Sequence, residues 1–343
     1  MLRAREQADQ VEPDGESVRL GDIVLRNRLV TSSSLLGYGV SNSALVPYGM
    51  SPVSLFVPLA EFGAVTTRTL TVEPREGHFT TRDDWPLTAL PGLLKRYGTV
   101  MRGTDGGWLN AFGWCNVGIG AYLRDYYPRT RDQRTIISLG GFSAQEFVTL
   151  VDRVNADVPA GDIAAVEFNV SCHNVNFDFS TILQDVLDEA VPRSNHPVIL
   201  KLSPDYDYLR NAQQAAKAGV SALTAINTVK ALRLDPRTGE PWLANRYGGL
   251  SGRAIKPIGL RVVSELREAG VTLPIIATGG IRTVDDCREY FWAGADAVSL
   301  GSATWLASHP GYLLSPLRAL HVRRVLKAVR RYRTLPTRSA ALR

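Results

Sequence analysis

From residue 130 onward, short apolar runs alternate with longer stretches whose apolar positions recur at helical spacing. The runs at 135–139, 163–168, 197–202, 222–226, 273–277 and 297–300 are rich in Val, Ile and Leu. They lack the strict apolar–polar alternation of a strand with one wet face, so they predict buried parallel strands. The stretches at 143–154, 208–218, 254–269 and 284–293 predict the intervening helices. Ser143, with Glu146 three residues later, makes a capping box at the start of the first. Gly219, Gly270 and Gly294 stand where a left-handed residue closes a last helical turn. Upstream, 24–32 and 64–68 add two strands, with 52–62 as the helix between them.

Eight strands alternating with helices predict an α/β fold of the (β/α)8 TIM barrel type, as a single domain over residues 1–343. An open dinucleotide-binding sheet should begin with a strand and G-x-G-x-x-G. The early loop Ser32-Ser33-Ser34-Leu35-Leu36-Gly37 lacks it. Two long connections interrupt the alternation. One, 71–134, holds Trp85, Trp108 and Trp114; the other, 230–253, reads as a hairpin around Thr238-Gly239. Barrel sites form from the loops that follow the strands, so both insertions are expected over the C-terminal face, covering a site.

Composition narrows the class. Hydrophobic residues make up 45% of 343, ample for a core. No stretch approaches the roughly 20 apolar residues of a membrane span. A polar N-terminal extension (about 1–16) resembles neither a signal peptide nor a membrane anchor. Cys115, Cys172 and Cys287 lie too far apart for a disulfide ladder or a metal spacing, which fits a reducing cytoplasm. The net charge is +6, and much of the excess falls in a basic C-terminal tail (about 318–343) that includes Arg323, Arg324, Lys327 and Arg330. Such a run reads as a solvated helix face. An acidic partner subunit or an anionic substrate is the expected counterpart, ahead of nucleic acid.

Two segments carry chemistry. Ile275-Ile276-Ala277-Thr278-Gly279-Gly280-Ile281 is a strand running into a Gly-Gly turn, and Val298-Ser299-Leu300-Gly301-Ser302-Ala303 repeats the device. Paired strand-end glycine turns near helix starts make an anion cradle, and barrels commonly bind phosphate after their last two strands. In Val166-Glu167-Phe168-Asn169-Val170-Ser171-Cys172-His173-Asn174, a buried strand breaks into a dense polar loop. Asparagine pairs donors with acceptors, which suits a ring with amide or imide edges.

That loop resembles the Asn-x-Ser-Cys-Pro-Asn motif of the class 1 dihydroorotate dehydrogenases, a cysteine-base, FMN-dependent family. The resemblance extends through Gly63-Ala64-Val65-Thr66-Thr67-Arg68-Thr69-Leu70-Thr71 and Leu109-Asn110-Ala111-Phe112-Gly113-Trp114-Cys115-Asn116-Val117-Gly118. Lys201-Leu202-Ser203-Pro204, Ile226-Asn227-Thr228, Tyr247-Gly248-Gly249-Leu250-Ser251-Gly252 and Ala277-Thr278-Gly279-Gly280 follow in family order. It implies oxidation of (S)-dihydroorotate to orotate in pyrimidine biosynthesis, with Cys172 as base and hydride passing to FMN. A thiol of ordinary pKa, about 8.5, is partly ionised near neutrality. The resemblance implies substrate contacts from Arg68, Asn110, Asn169, Asn174, Asn227 and Thr228. Lys201 would sit by the flavin N1–C2 edge, with Ser32, Ser33, Gly249, Gly279, Gly280, Gly301 and Ser302 holding the cofactor. A homo-oligomer and an electron-transfer partner subunit bearing an iron–sulfur centre and FAD are the implied assembly.

Three residues depart from the family pattern. Arg68 stands for a lysine, His173 for the proline of the motif, and Trp114 for a smaller aliphatic residue. A paralogue acting on another dihydropyrimidine-like or specialised-metabolite ring is therefore the alternative expectation. A flavoprotein scaffold without turnover, or a basic nucleic-acid binder, is the non-enzyme one.

Overall fold

The computed structural model describes residues 17–33, 37–40, 59–78, 101–304 and 316–330. The first seven described strands are β1 (Val18–Leu20), β2 (Ile23–Leu25), β3 (Leu29–Thr31), β4 (Ala64–Thr66), β5 (Met101–Thr104), β6 (Gly107–Asn110) and β7 (Thr135–Leu139). They continue as β8 (Ala165–Phe168), β9 (Val198–Leu202), β10 (Ala222–Ala225), β11 (Val229–Ala231), β12 (Gly248–Gly252), β13 (Ile275–Thr278) and β14 (Ala297–Leu300). Eight of them close a barrel in the order β3-β4-β7-β8-β9-β10-β13-β14, every pair parallel. The predicted (β/α)8 architecture is what the chain adopts.

Because strand side chains alternate between the two faces, the barrel interior is built in layers. The lower layer is apolar: Val30, Ala64, Ile136, Ala165, Ile199, Ala222, Ile276 and Ala297 pack with Leu20, Ile23 and Leu25 of the β1–β2 hairpin. That hairpin closes the N-terminal end. The layer above is polar, with Ser138, Glu167, Lys201, Thr224, Thr278 and Ser299 all buried. A barrel that is greasy at one end and polar at the other can bury a charged group only toward the mouth.

Helices Ala144–Asp157, Leu183–Ala190, Tyr208–Lys217, Lys256–Glu268, Val284–Ala293 and Pro316–Val329 surround the strands. Ser143 caps the first, its hydroxyl accepting from Glu146 N, while Glu146 reaches back one residue beyond the cap, to Phe142 N. Gly219, Gly270 and Gly294 take the left-handed conformation expected of them. The basic run forms a helix face: Arg323, Arg324 and Lys327 are exposed, and Val322, Val325, Leu326 and Val329 are buried. Among the described residues no helix is long and apolar enough to cross a membrane.

One strand expectation fails. Residues 24–32 are not continuous but divide into β2 and β3. The break lies at Arg26-Asn27-Arg28, whose side chains reach backbone carbonyls of Ala60, Glu61 and Asp296. Three consecutive polar groups thus bond to neighbouring loops rather than extend a ladder. Of the helix expected at 52–62, only a single 3-10 turn, Leu59–Glu61, falls within the described residues. Trp85, residues 1–16 and the tail beyond 330 lie outside them.

The two long connections join. β11 and β12 form the expected hairpin, β5 and β6 form a second, and β12 pairs with β6 in one antiparallel sheet ordered β11-β12-β6-β5.

Candidate active site

The barrel strands end around one cleft. Arg68, Asn110, Asn169, Cys172, Asn174, Asn227 and Thr228 line it, together with Lys201. Ser32, Ser33, Gly279, Gly280, Gly301 and Ser302 form its other wall. Gly249 is the exception: it does not line the cleft but lies on β12, where its carbonyl accepts from Asn110 Nδ2 at 2.9 Å.

The polar loop after β8 supplies Cys172, Asn174 and, at the strand end, Asn169. Asn174 donates to Asn110 Oδ1 at 3.0 Å, while its own Oδ1 is buried without a partner among the described residues. Asn174 lines the cleft, and a ring N–H is the kind of donor this buried orphan acceptor lacks. Asn227 Nδ2 lies 3.2 Å from Asn169 Oδ1 and 3.1 Å from both Ser171 oxygens. That leaves Asn169 Nδ2 to donate to Thr69 Oγ1 at 2.8 Å, which fixes the orientation of its amide.

Cys172 is half-buried, and burial pushes its thiol up to about 11. The N–H groups of Asn174 and Val175 and the charges of Lys201 and Arg75 oppose the rise without cancelling it. The thiol is therefore held neutral near pH 7, unlike the partly ionised group expected from an ordinary pKa. Arg75 is a cation the sequence reading passed over. It stacks on Phe142, 4.9 Å from the ring centroid.

Lys201 Nζ lies 3.4 Å from Glu167 Oε1, and both side chains are buried. Ser138 donates to the same carboxylate oxygen at 3.1 Å, and Thr224 to the other at 2.9 Å. The sequence reading also missed Glu167. A second polar knot joins Ser32 to Thr278 at 3.0 Å and to Ser299 at 2.8 Å.

The departures from the family pattern each make identifiable contacts, although the indole N–H of Trp114 is buried without a partner among the described residues. Arg68 donates from Nε to Cys115 O at 2.9 Å, with its guanidinium 5.6 Å from the Phe112 ring centroid. Trp114 adopts a left-handed φ of 56° and packs on Phe142 and Phe179. His173 turns toward Asp205 and Ser203 and stacks on Tyr206.

The glycine turns suit a phosphate-bearing group. Gly280 has φ 72°, and a Cβ there would fall 2.7 Å from Lys256 Cβ and 2.8 Å from Gly252 O. The turn accepts no side chain, so its backbone N–H groups stay accessible, as a phosphate cradle requires. FMN carries one such phosphate and a ring system whose N1–C2 edge accepts a cation. The cradle, Lys201 and the hydroxyl-lined wall match both needs.

A family model described as dihydroorotate dehydrogenase matches residues 50–310. A protein of Trichlorobacter lovleyi named dihydroorotate dehydrogenase B (NAD(+)), catalytic subunit, is 35% identical over 299 residues, which is 84% of this chain and 88% of that protein. The protein of the same name from Geobacillus kaustophilus is 34% identical over 300 residues, 84% of this chain and 85% of the other. That from Geobacter sulfurreducens is 36% identical over 299 residues, 84% of this chain and 87% of the other.

Proposed function

The chain belongs to the dihydroorotate dehydrogenase family, and we propose that it oxidises (S)-dihydroorotate to orotate in pyrimidine biosynthesis with FMN as its cofactor. The observation that carries this reading is one cleft gathering a thiol, four asparagine amides, a buried lysine and paired glycine turns. When bound, FMN supplies a hydride acceptor at N5. Cys172, as thiolate, takes the proton from one ring carbon while the hydride leaves its neighbour, so the substrate loses two electrons and two hydrogens. Lys201 and Arg75 favour the thiolate. Asn110, Asn169, Asn174 and Asn227, with Thr228, orient the ring's amide edges, and Arg68 meets its carboxylate. Lys201 would lie by the cofactor's N1–C2 edge and offset negative charge there. Ser32, Ser33, Gly249, Gly279, Gly280, Gly301 and Ser302 hold the cofactor in place.

A partner subunit would carry the electrons on to NAD⁺, a reading supported by the relatives' name, a catalytic subunit with NAD(+). The assembly is a homo-oligomer of this chain with that partner. Three cysteines, none in a disulfide, support a cytoplasmic setting. The deciding experiment is anaerobic addition of dihydroorotate to the purified protein, with orotate formed as the flavin bleaches. Yellow protein that ignores dihydroorotate sends the search to related rings, the reading that Trp114 and Arg68 at the pocket wall favour.

A further inference from the structure

Directly beneath the lysine that faces the cleft lies a carboxylate that the proposed chemistry leaves unused. Glu167 is 3% exposed, on β8, with its side chain inside the barrel between the apolar layer and the cleft. Oε1 meets Lys201 Nζ at 3.4 Å and Ser138 Oγ at 3.1 Å; Oε2 meets Thr224 Oγ1 at 2.9 Å.

We propose that Glu167 is the positioning residue of Lys201, holding its ammonium at the floor of the cleft and offsetting part of its charge toward the cofactor. The inference rests on the FMN reading above.

Hydrogen-bond direction supports it. A carboxylate paired with an ammonium can only accept, so the Ser138 hydroxyl proton points at Glu167. Ser138 then has only a lone pair for Thr69, 3.1 Å away, so the Thr69 proton points at Ser138. Thr69 in turn accepts from Asn169 at 2.8 Å and from Ser33 at 3.2 Å. Asn227 donates to Asn169 at 3.2 Å. Each donor from Asn227 to Ser138 is therefore turned toward one carboxylate. A neutral residue at 167 would not impose that order, and Lys201 would be left without its counter-charge in a barrel whose next layer is apolar. The negative charge reduces the field that the ammonium projects into the cleft, so it sets how strongly a reduced, anionic flavin is favoured.

The test is the flavin midpoint potential of the FMN-loaded protein, compared with Glu167→Gln, Glu167→Asp and Ser138→Ala. Glu167→Gln keeps the shape and removes the charge, so reduced flavin should gain at least tenfold over oxidised, an upward shift of about 30 mV for a two-electron couple. Glu167→Asp, which restores the charge, should bring the potential back toward wild type. Ser138→Ala strips a proton donor from the oxygen that faces Lys201, strengthens its field, and should move the potential down. A purely structural role would lower melting temperature or flavin affinity without producing these opposite signs. A Glu167→Gln potential equal to wild type overturns the proposal. If that variant does not fold, Ser138→Ala decides alone: a downward shift supports the proposal, and no shift or an upward one overturns it. Wild-type protein that cannot be loaded with FMN would fell the cofactor reading and this inference together. That outcome is distinct from yellow proteins sharing one potential.

Discussion

Nε2 of His173 lies 2.8 Å from Oδ2 of Asp205, so the imidazole next in sequence to the proposed base is committed to a carboxylate. Burial alone would raise the Asp205 carboxyl. The bonds it accepts from His173, Lys230 N and Ser203 outweigh this and hold it below the ordinary carboxylate range. His173→Pro, the residue of the family motif, should therefore leave the alkaline limb of the pH–rate profile in place. A limb displaced by a unit or more would mean that the imidazole does act on Cys172.

Cys172→Ala should fold and bind FMN but lose substrate-driven flavin reduction by about 10² to 10⁴, the usual contribution of a general base. In wild type the thiolate is the active form and burial pushes the thiol up to about 11. The rate of flavin reduction should then rise with pH from 7 to beyond 9. Stopped-flow bleaching measures both effects.

Arg68 lines the cleft, and a substrate carboxylate there would make a charge-assisted, partly desolvated contact. Arg68→Ala should weaken dihydroorotate binding by roughly 30-fold or more, about 2 kcal/mol, the lower end for truncating such a pair. Unchanged KM in steady-state assays would show that Arg68 only buttresses Cys115 O and the Phe112 ring.

Gly280→Ala tests the cradle. The added methyl meets Lys256 Cβ and Gly252 O at a backbone φ of 72°. Strain of about 1–3 kcal/mol is expected. FMN should dissociate more readily in ultrafiltration, while dihydroorotate contacts on the opposite wall stay intact. Mass spectrometry of the released chromophore should find FMN and not FAD.

His196 tests acid stability away from the cleft. It is buried, and burial lowers its pKa below the ordinary value, only partly opposed by Val158 and Asp162. The unfolded chain therefore takes up a proton near pH 6.5 that the folded chain refuses. Stability should be full above that pH and decline as pH falls below it. His196→Phe should flatten the decline in thermal melts between pH 7.5 and 5.5.

The barrel strands were legible because strands buried on both faces carry Val, Ile and Leu without alternation, as 135–139 and 297–300 do. The β1–β2 hairpin was not, since two strands of three residues are too short to establish a period. The pairing of β6 with β12 is a contact between distant segments, and local pattern cannot report it. In the site, residues at strand ends could be read from motif. Arg75 could not, because it lies in the connection after β4, held there by a single bridge to the distant Asn116 that local pattern does not report. Glu167 could have been found: a charge inside an apolar strand drew attention to Lys201, and the same signal stands at 167.

Asn110 and Gly249 are directly paired across β6 and β12, although each belongs to a different excursion from the barrel. Neither excursion is complete alone, because removing one leaves the other with a bare row of backbone donors and acceptors. The two insertions are therefore a single heritable part. They can be grafted, shortened or redesigned only as a pair, and a chimaera that takes one from a relative must take both.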